Sequence, residues 1–240
     1  MCWPAGLAAL VLALPAAAET APRGGGAVAW LRDRTGHALD VQAIGPVAIA
    51  TGGVIVVDPL TYSTGYDWPF LAVPEGQAQF LVALDAESGR VSKAALVFSD
   101  APVACGHDEA TVGVDTGLAA FLDRPAAAAL EADSQALGPG RDIYNDWFHG
   151  LIGETHVVKE IVPLPSGTRF PMISSGWGDG GYPVASLSDA EGRMVAIYVD
   201  FMGMNAEGDW LLPPECPAPQ AVRLEMPAFP PFNPVPSRVW

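Results

Sequence analysis

Residues 77–98 read QAQFLVALDAESGRVSKAALVF, and this stretch decides the fold class. Within residues 77–84, apolar side chains alternate with Gln77 and Gln79, which is the two-residue period of a β-strand. Residues 91–98 repeat that alternation after a polar turn that contains a glycine. The stretch therefore predicts an antiparallel hairpin with one buried face.

The same signals recur on both sides of this hairpin. Residues 41–50 and 54–57 predict a second hairpin around a Gly-Gly step, and residues 182–187 and 193–201 predict a third. Further strands are expected at 111–114, 155–162 and 169–173. We therefore expect a mainly β, β-rich α+β domain in which antiparallel hairpins form a sandwich-like or barrel-like structure.

One short helix is expected among these strands. Residues 124–137 have Pro125 in the first turn, continue as an alanine-rich run and end before Gly138, which is the typical order of helix start and stop signals. Asp123 stands directly before the first turn, so we interpret its carboxylate as the helix cap.

The two ends of the chain differ from its centre. Residues 3–18 are an apolar run of 16 residues that ends in three alanines, which is typical of a secretory signal peptide and shorter than the ~20 residues of a spanning helix. From residue 211 onward, proline recurs every few positions. We therefore expect a signal peptide at 1–18, one β-rich domain at 27–210 and a proline-rich segment at 211–240, in a periplasmic or secreted protein with no transmembrane segment after cleavage.

Charge and cysteine content indicate which partners and which covalent links to expect. The formal charge is −15, from 27 acidic and 12 basic residues, and this argues against nucleic acid as a partner. Cleavage of the signal peptide would leave Cys105 and Cys216. In an oxidising compartment these two predict a single disulfide, with two buried thiols as the alternative.

A glycine-rich segment is the main candidate for a binding site. Residues 174–183 read SSGWGDGGYP, with four glycines in ten residues. Glycine permits positive φ angles and close approach of the backbone to another group. The predicted ligand-binding residues are Gly176, Trp177, Gly178, Asp179, Gly180 and Tyr182.

Three acids at the ends of strands are the candidates for chemistry. Asp115, Asp179 and Asp200 would form a divalent-cation site, with calcium as the example, if they converged, because hard cations take carboxylate and carbonyl oxygens. Two of the three could instead act as a general acid and base. A zinc site at His149, Glu154 and His156 is a weaker alternative, because the His-Glu-x-x-His pattern is missing.

Several short motifs occur together in one order: Thr51-Gly52, Asp58-Pro59-Leu60, Gly113-Val114-Asp115-Thr116-Gly117, Ser175-Gly176-Trp177-Gly178-Asp179-Gly180 and Val199-Asp200-Phe201. In this order they resemble the bacterial family known as domain of unknown function 4241, over about residues 46–201. The resemblance implies a β-rich domain and says which motifs belong together. It implies no activity.

Two functions from different classes follow from these patterns. The first is a binding or interaction module that presents an acidic site lined by glycine and tryptophan to a cation, a glycan or a protein. The alternative is a hydrolase that uses paired carboxylates from the same cluster.

Overall fold

The computed structural model describes residues 25–32, 38–63, 65–66, 68–153, 157–205 and 208–217. The predicted signal peptide and all but the first residues of the proline-rich segment lie outside these ranges. Within them, no helix is both long enough and apolar enough to cross a bilayer.

The chain is mainly β, as predicted, and its strands form two antiparallel sheets. In spatial order, the six-stranded sheet contains β1 (Leu39–Ile49), β4 (Gly76–Asp85), β5 (Val91–Val97), β11 (Met194–Asp200), β10 (Gly180–Ser188) and β6 (Cys105–Val114). The five-stranded sheet contains β3 (Leu71–Ala72), β2 (Gly53–Val57), β7 (Leu118–Asp123), β9 (Arg169–Ser174) and β8 (Lys159–Pro163). The described strands form a sandwich of two open sheets and not a barrel.

The described residues form four layers, because helices pack on the outer face of each sheet and cover its central strands. In β4, Phe80 and Val82 point into the core between the sheets, whereas Leu81 and Ala83 point outward. Helix α1 (Gly25–Arg32) packs on that outer face through Trp30 and its neighbours. Burial on both faces explains why the central strands are almost continuously apolar.

The other outer face is covered by α2 (Arg124–Ala136), a π-helical turn (Tyr144–Phe148) and α3 (His149–Ile152). Helix α2 confirms the predicted helix, and its cap is Asp123, whose Oδ1 accepts the backbone N–H of Ala126 at 2.9 Å. The expectation of one helix is wrong, because α1, the π turn and α3 were not predicted. These are short segments held by buried side chains and not by intrinsic helix propensity.

Two of the three predicted hairpins are confirmed. Strands β4 and β5 pair, and so do β10 and β11. The predicted pairing of residues 41–50 with 54–57 is wrong, because β1 pairs with β4 while β2 pairs with β3 and β7 in the other sheet. The Gly-Gly step carries the chain between sheets. All five residues of β2 are buried, and this needs a partner strand and a covering layer that β1 does not supply.

The predicted disulfide between Cys105 and Cys216 is present. Residues 213–217 lie along the outer edge of β6, where Gly106 donates to the carbonyl of Pro214 at 2.9 Å and accepts from Cys216 at 3.1 Å. A side chain at position 106 would overlap Pro213 and the carbonyl of Ser186, so glycine allows this close approach. The disulfide thus fixes a segment that covers one edge of the six-stranded sheet.

The Asp58 carboxylate joins the two sheets at one end of the sandwich. Asp58 directly follows β2 and is fully buried. Its Oδ2 accepts the backbone N–H groups of Asp115 and Thr116, each at 2.9 Å, and its Oδ1 accepts that of Leu60 at 3.0 Å. The Thr116 hydroxyl donates to the same carboxylate at 2.8 Å. Since residues 115–117 connect β6 to β7, this carboxylate positions the crossing between the sheets.

Reduction of the disulfide is expected to lower the free energy of unfolding by about 2–4 kcal/mol, because the unfolded chain regains the freedom of a long loop. The measurement is urea denaturation of the oxidised and the reduced protein. In a Cys216→Ser variant, reductant should leave the midpoint unchanged. Equal midpoints for oxidised and reduced wild type would contradict the prediction.

The Asp58→Asn substitution is expected to lower the free energy of unfolding by about 3 kcal/mol, because an amide NH₂ would face N–H donors that are left unsatisfied. The matched control is Asp115→Asn, which changes an exposed carboxylate on the same turn and should cost less than ~0.5 kcal/mol. Urea midpoints of the two variants give the comparison. A similar loss in both variants would show that the turn does not depend on the buried acid.

Candidate functional site

The predicted glycine-rich segment forms the loop between β9 and β10. Its start is tied to the crossing between the sheets, because the backbone N–H of Ser175 donates to the carbonyl of Gly117 at 2.9 Å. The β6–β10 register then pairs Gly180 with Val114. Asp179 and Asp115 therefore leave the same end of two neighbouring strands. The sequence motifs around residues 58, 115 and 178 meet at this end of the molecule.

Hydrogen bonds to one carbonyl hold the bend of this loop. The Ser175 hydroxyl donates to the carbonyl of Gly178 at 2.6 Å, and the Tyr182 hydroxyl donates to it at 2.9 Å. Gly178 has a φ angle of +94°, which favours glycine. Burial and then the negative charge of Asp179 raise the pKa of the Tyr182 hydroxyl, so this group stays protonated and keeps its donor role.

Trp177 projects from this loop into solvent. Its side chain is 60% exposed, whereas Trp68 and Trp147 each donate their indole N–H to a backbone carbonyl and are partly buried by neighbouring side chains. The guanidinium of Arg90 lies over the Trp177 ring, 5.4 Å from its centroid. Arg90 also donates to the carbonyl of Gly176 at 3.0 Å, so the guanidinium that packs against the indole is itself held by a hydrogen bond.

A groove of about 390 Å³ runs beside the indole. It is lined by Ser88, Arg90, Val91, Gly117, Val157 and residues 174–178. No carboxylate is among these lining residues. Arg90 comes from the turn between β4 and β5, and no pattern in the sequence connects that turn to residue 177. Sequence reasoning therefore missed Arg90, which contacts Trp177, and also Ser88, Val91, Gly117 and Val157.

The three candidate acids do not share one environment. Asp115 and Asp179 are exposed at neighbouring turns. Asp200 is 1% exposed and faces the outer side of its sheet, where its Oδ2 lies 3.5 Å from Nζ of Lys93. Among the residues that the structure describes, no three His, Cys, Asp or Glu side chains are arranged to hold a metal ion. The proposed cation site at these three acids is therefore not supported.

The weaker zinc alternative is only partly covered by the structure. The ring of His149 packs against Tyr144, with ring centroids 5.9 Å apart. Glu154 and His156 lie outside the described residues.

A larger groove of about 720 Å³ separates the edge strands β1 and β8. It includes Asp123 and Glu160. The two oxygens of Asp123 accept the backbone N–H groups of Ala126 and Ala50, at 2.9 and 3.0 Å. Because both oxygens are committed to backbone groups, we assign Asp123 a structural role.

Comparison with known proteins gives one match. No curated protein and no solved structure matches the chain. The profile of the family described as "Protein of unknown function (DUF4241)" matches residues 47–199, which cover both sheets from β1 to β11 and include the Trp177 loop. The chain therefore belongs to the DUF4241 family.

Proposed function

We propose that this protein is an exported binding module that recognises a glycan through the surface formed by Trp177, Arg90 and the adjoining groove. The observation that carries the proposal is the 60% exposure of Trp177 on a loop held by several hydrogen bonds. An exposed indole forgoes the free energy that burial of its apolar surface would give. A sugar ring can cover that flat apolar surface while its hydroxyls meet the neighbouring polar groups.

The rigidity of the loop supports this proposal. Gly178 lies at a positive φ angle, and its carbonyl accepts two side-chain hydroxyls. A ring that is already held in place loses little conformational entropy when a ligand binds, so more of the contact energy contributes to affinity. The guanidinium of Arg90 supports one face of the ring and leaves polar N–H groups near the groove.

The charges near the loop indicate which glycans fit. Asp179 is exposed in the same loop as Trp177, Asp115 is exposed on the neighbouring turn, and the whole chain carries a formal charge of −15. Carboxylates accept hydrogen bonds from sugar hydroxyls and repel anionic polymers. We therefore expect neutral oligosaccharides to bind and strongly sulfated ones to be excluded.

The hydrolase alternative has less support. Hydrolysis of a glycoside by paired carboxylates needs both acids beside the same bond. No acid lines the groove beside Trp177, and the Asp200 carboxyl is directed to the other side of its sheet.

The test is isothermal titration of the protein with neutral oligosaccharides of glucose, xylose and N-acetylglucosamine. We expect binding by the wild type and a loss of at least about tenfold in Trp177→Ala, equivalent to ~1.4 kcal/mol, with an unchanged melting temperature. The matched control is Tyr66→Ala, which removes an aromatic side chain that is 70% exposed elsewhere and should leave affinity unchanged.

Three results would overturn the proposal: no binding of any of these sugars, equal affinity in Trp177→Ala, or an equal loss in Tyr66→Ala. Release of new reducing ends by the wild type, lost in Asp179→Asn, would replace the binding module with the hydrolase.

A further inference from the structure

The buried pair of Lys93 and Asp200 lies at the centre of the six-stranded sheet. The two residues are register partners across β5 and β11, and their exposed fractions are 0% and 1%. Nζ of Lys93 lies 3.5 Å from Oδ2 of Asp200. Because the strand ladder fixes both backbones, the amine and the carboxyl group stay next to each other.

Their surroundings favour neutral forms of both groups. The next outward-facing residues along the two strands are Ala95 and Tyr198, which belong to the apolar layer beneath α1. Charges are costly in such a layer, and transfer of one proton from ammonium to carboxylate removes both. Burial raises the pKa of the Asp200 carboxyl, although the charge of Lys93 and the backbone N–H groups of Met202 and Gly203 act in the opposite direction. A neutral amine is a nucleophile, and the carbon of a neutral carboxylic acid is more electrophilic than that of a carboxylate.

The second oxygen of Asp200 is held by the following turn. Oδ1 accepts the backbone N–H of Met202 at 3.1 Å, and the backbone N–H of Gly203 also bonds to this carboxyl group. A Cβ atom at position 203 would overlap the carboxyl oxygens, so glycine at that position lets the turn close over them. Backbone N–H groups placed in this way stabilise negative charge that develops on a carbonyl oxygen.

We propose that Lys93 and Asp200 form an intramolecular amide bond between Nζ and Cγ. The neutral amine adds to Cγ, and the charge that develops on Oδ1 is stabilised by the N–H of Met202. One proton of Nζ then passes to the Oδ2 hydroxyl, the Cγ–Oδ2 bond breaks and one water leaves. One amine and one carboxylic acid thus become one amide and one water, with no oxidant, metal or other co-reactant.

Two physical factors favour this condensation. Fixed geometry replaces an encounter between two molecules, which raises the effective concentration of the amine at the carboxyl group. Exclusion of bulk water opposes the reverse hydrolysis. A plain buried ion pair is the competing description of the same contact, and it leaves the covalent structure unchanged.

The composition of the chain makes a direct test simple. Lys93 and Lys159 are its two lysines, and each is a trypsin site when its amine is free. Full-length wild type is purified, denatured, reduced, alkylated and digested, and the peptides are identified by mass spectrometry. We expect cleavage after Lys159 and none after Lys93. Peptide 91–141, in which Pro125 protects Arg124, should remain joined to peptide 194–223 and be lighter than their sum by one water.

Variants and a second readout complete the test. Lys93→Met and Asp200→Ala should lack the joined peptide, while the control Lys159→Met should keep it. In denaturant, an amine-reactive label should modify Lys159 and the amino terminus of the wild type but not Lys93. Efficient cleavage after Lys93 in the reduced wild type, or its full labelling, would overturn the proposal. Because the decisive readouts use denatured wild type, they do not depend on whether the variants fold.

Discussion

The arrangement of this protein depends on one buried carboxylate. Asp58 ends β2 in one sheet and accepts hydrogen bonds from the turn that leaves β6 in the other. Through Gly117, the same turn holds the start of the Trp177 loop. A carboxylate without solvent must have its oxygens satisfied, and here backbone N–H groups satisfy them. The geometry of the exposed surface is therefore set by a residue that does not contribute to that surface.

Local patterns in the sequence predicted those parts of the fold that depend on local contacts. The β4–β5 and β10–β11 hairpins followed from two-residue alternation around short turns, and α2 followed from Pro125, Gly138 and the Asp123 cap. The partner of β2 did not follow, because a Gly-Gly step reverses the chain equally well within a sheet or between two sheets. β2 lies in the five-stranded sheet because both of its faces are buried there. That burial depends on the packing of the whole sandwich and cannot be read from the local sequence.

In the candidate site, too, local features were predicted and contacts between distant segments were not. The glycine pattern of residues 174–183 predicted a tight loop with an aromatic ring, and that loop is present. The role of Arg90 depends on how the turn between β4 and β5 lies against the loop between β9 and β10, which no single segment specifies. The sequence predicted Asp200 at the end of a strand, but its partner Lys93 comes from a strand about a hundred residues earlier. Sequence reasoning therefore predicted that the loops around residues 115 and 178 meet, but not that Asp200 pairs with Lys93 on the outer side of the sheet.

The strand order β5–β11–β10–β6 has a consequence for the order of events during synthesis. Strands β5 and β6 are synthesised early, but the strands that pair with them in the centre of the sheet, β11 and β10, are the last two. The disulfide likewise cannot form until Cys216 has been synthesised. Pairing over such separations is slow, since a long loop must close before any contact is gained. The apolar strands that are synthesised early therefore lack their partners, and can aggregate, until nearly the whole polypeptide has emerged. A holding factor, or delivery of the chain in an unfolded state, would meet that need.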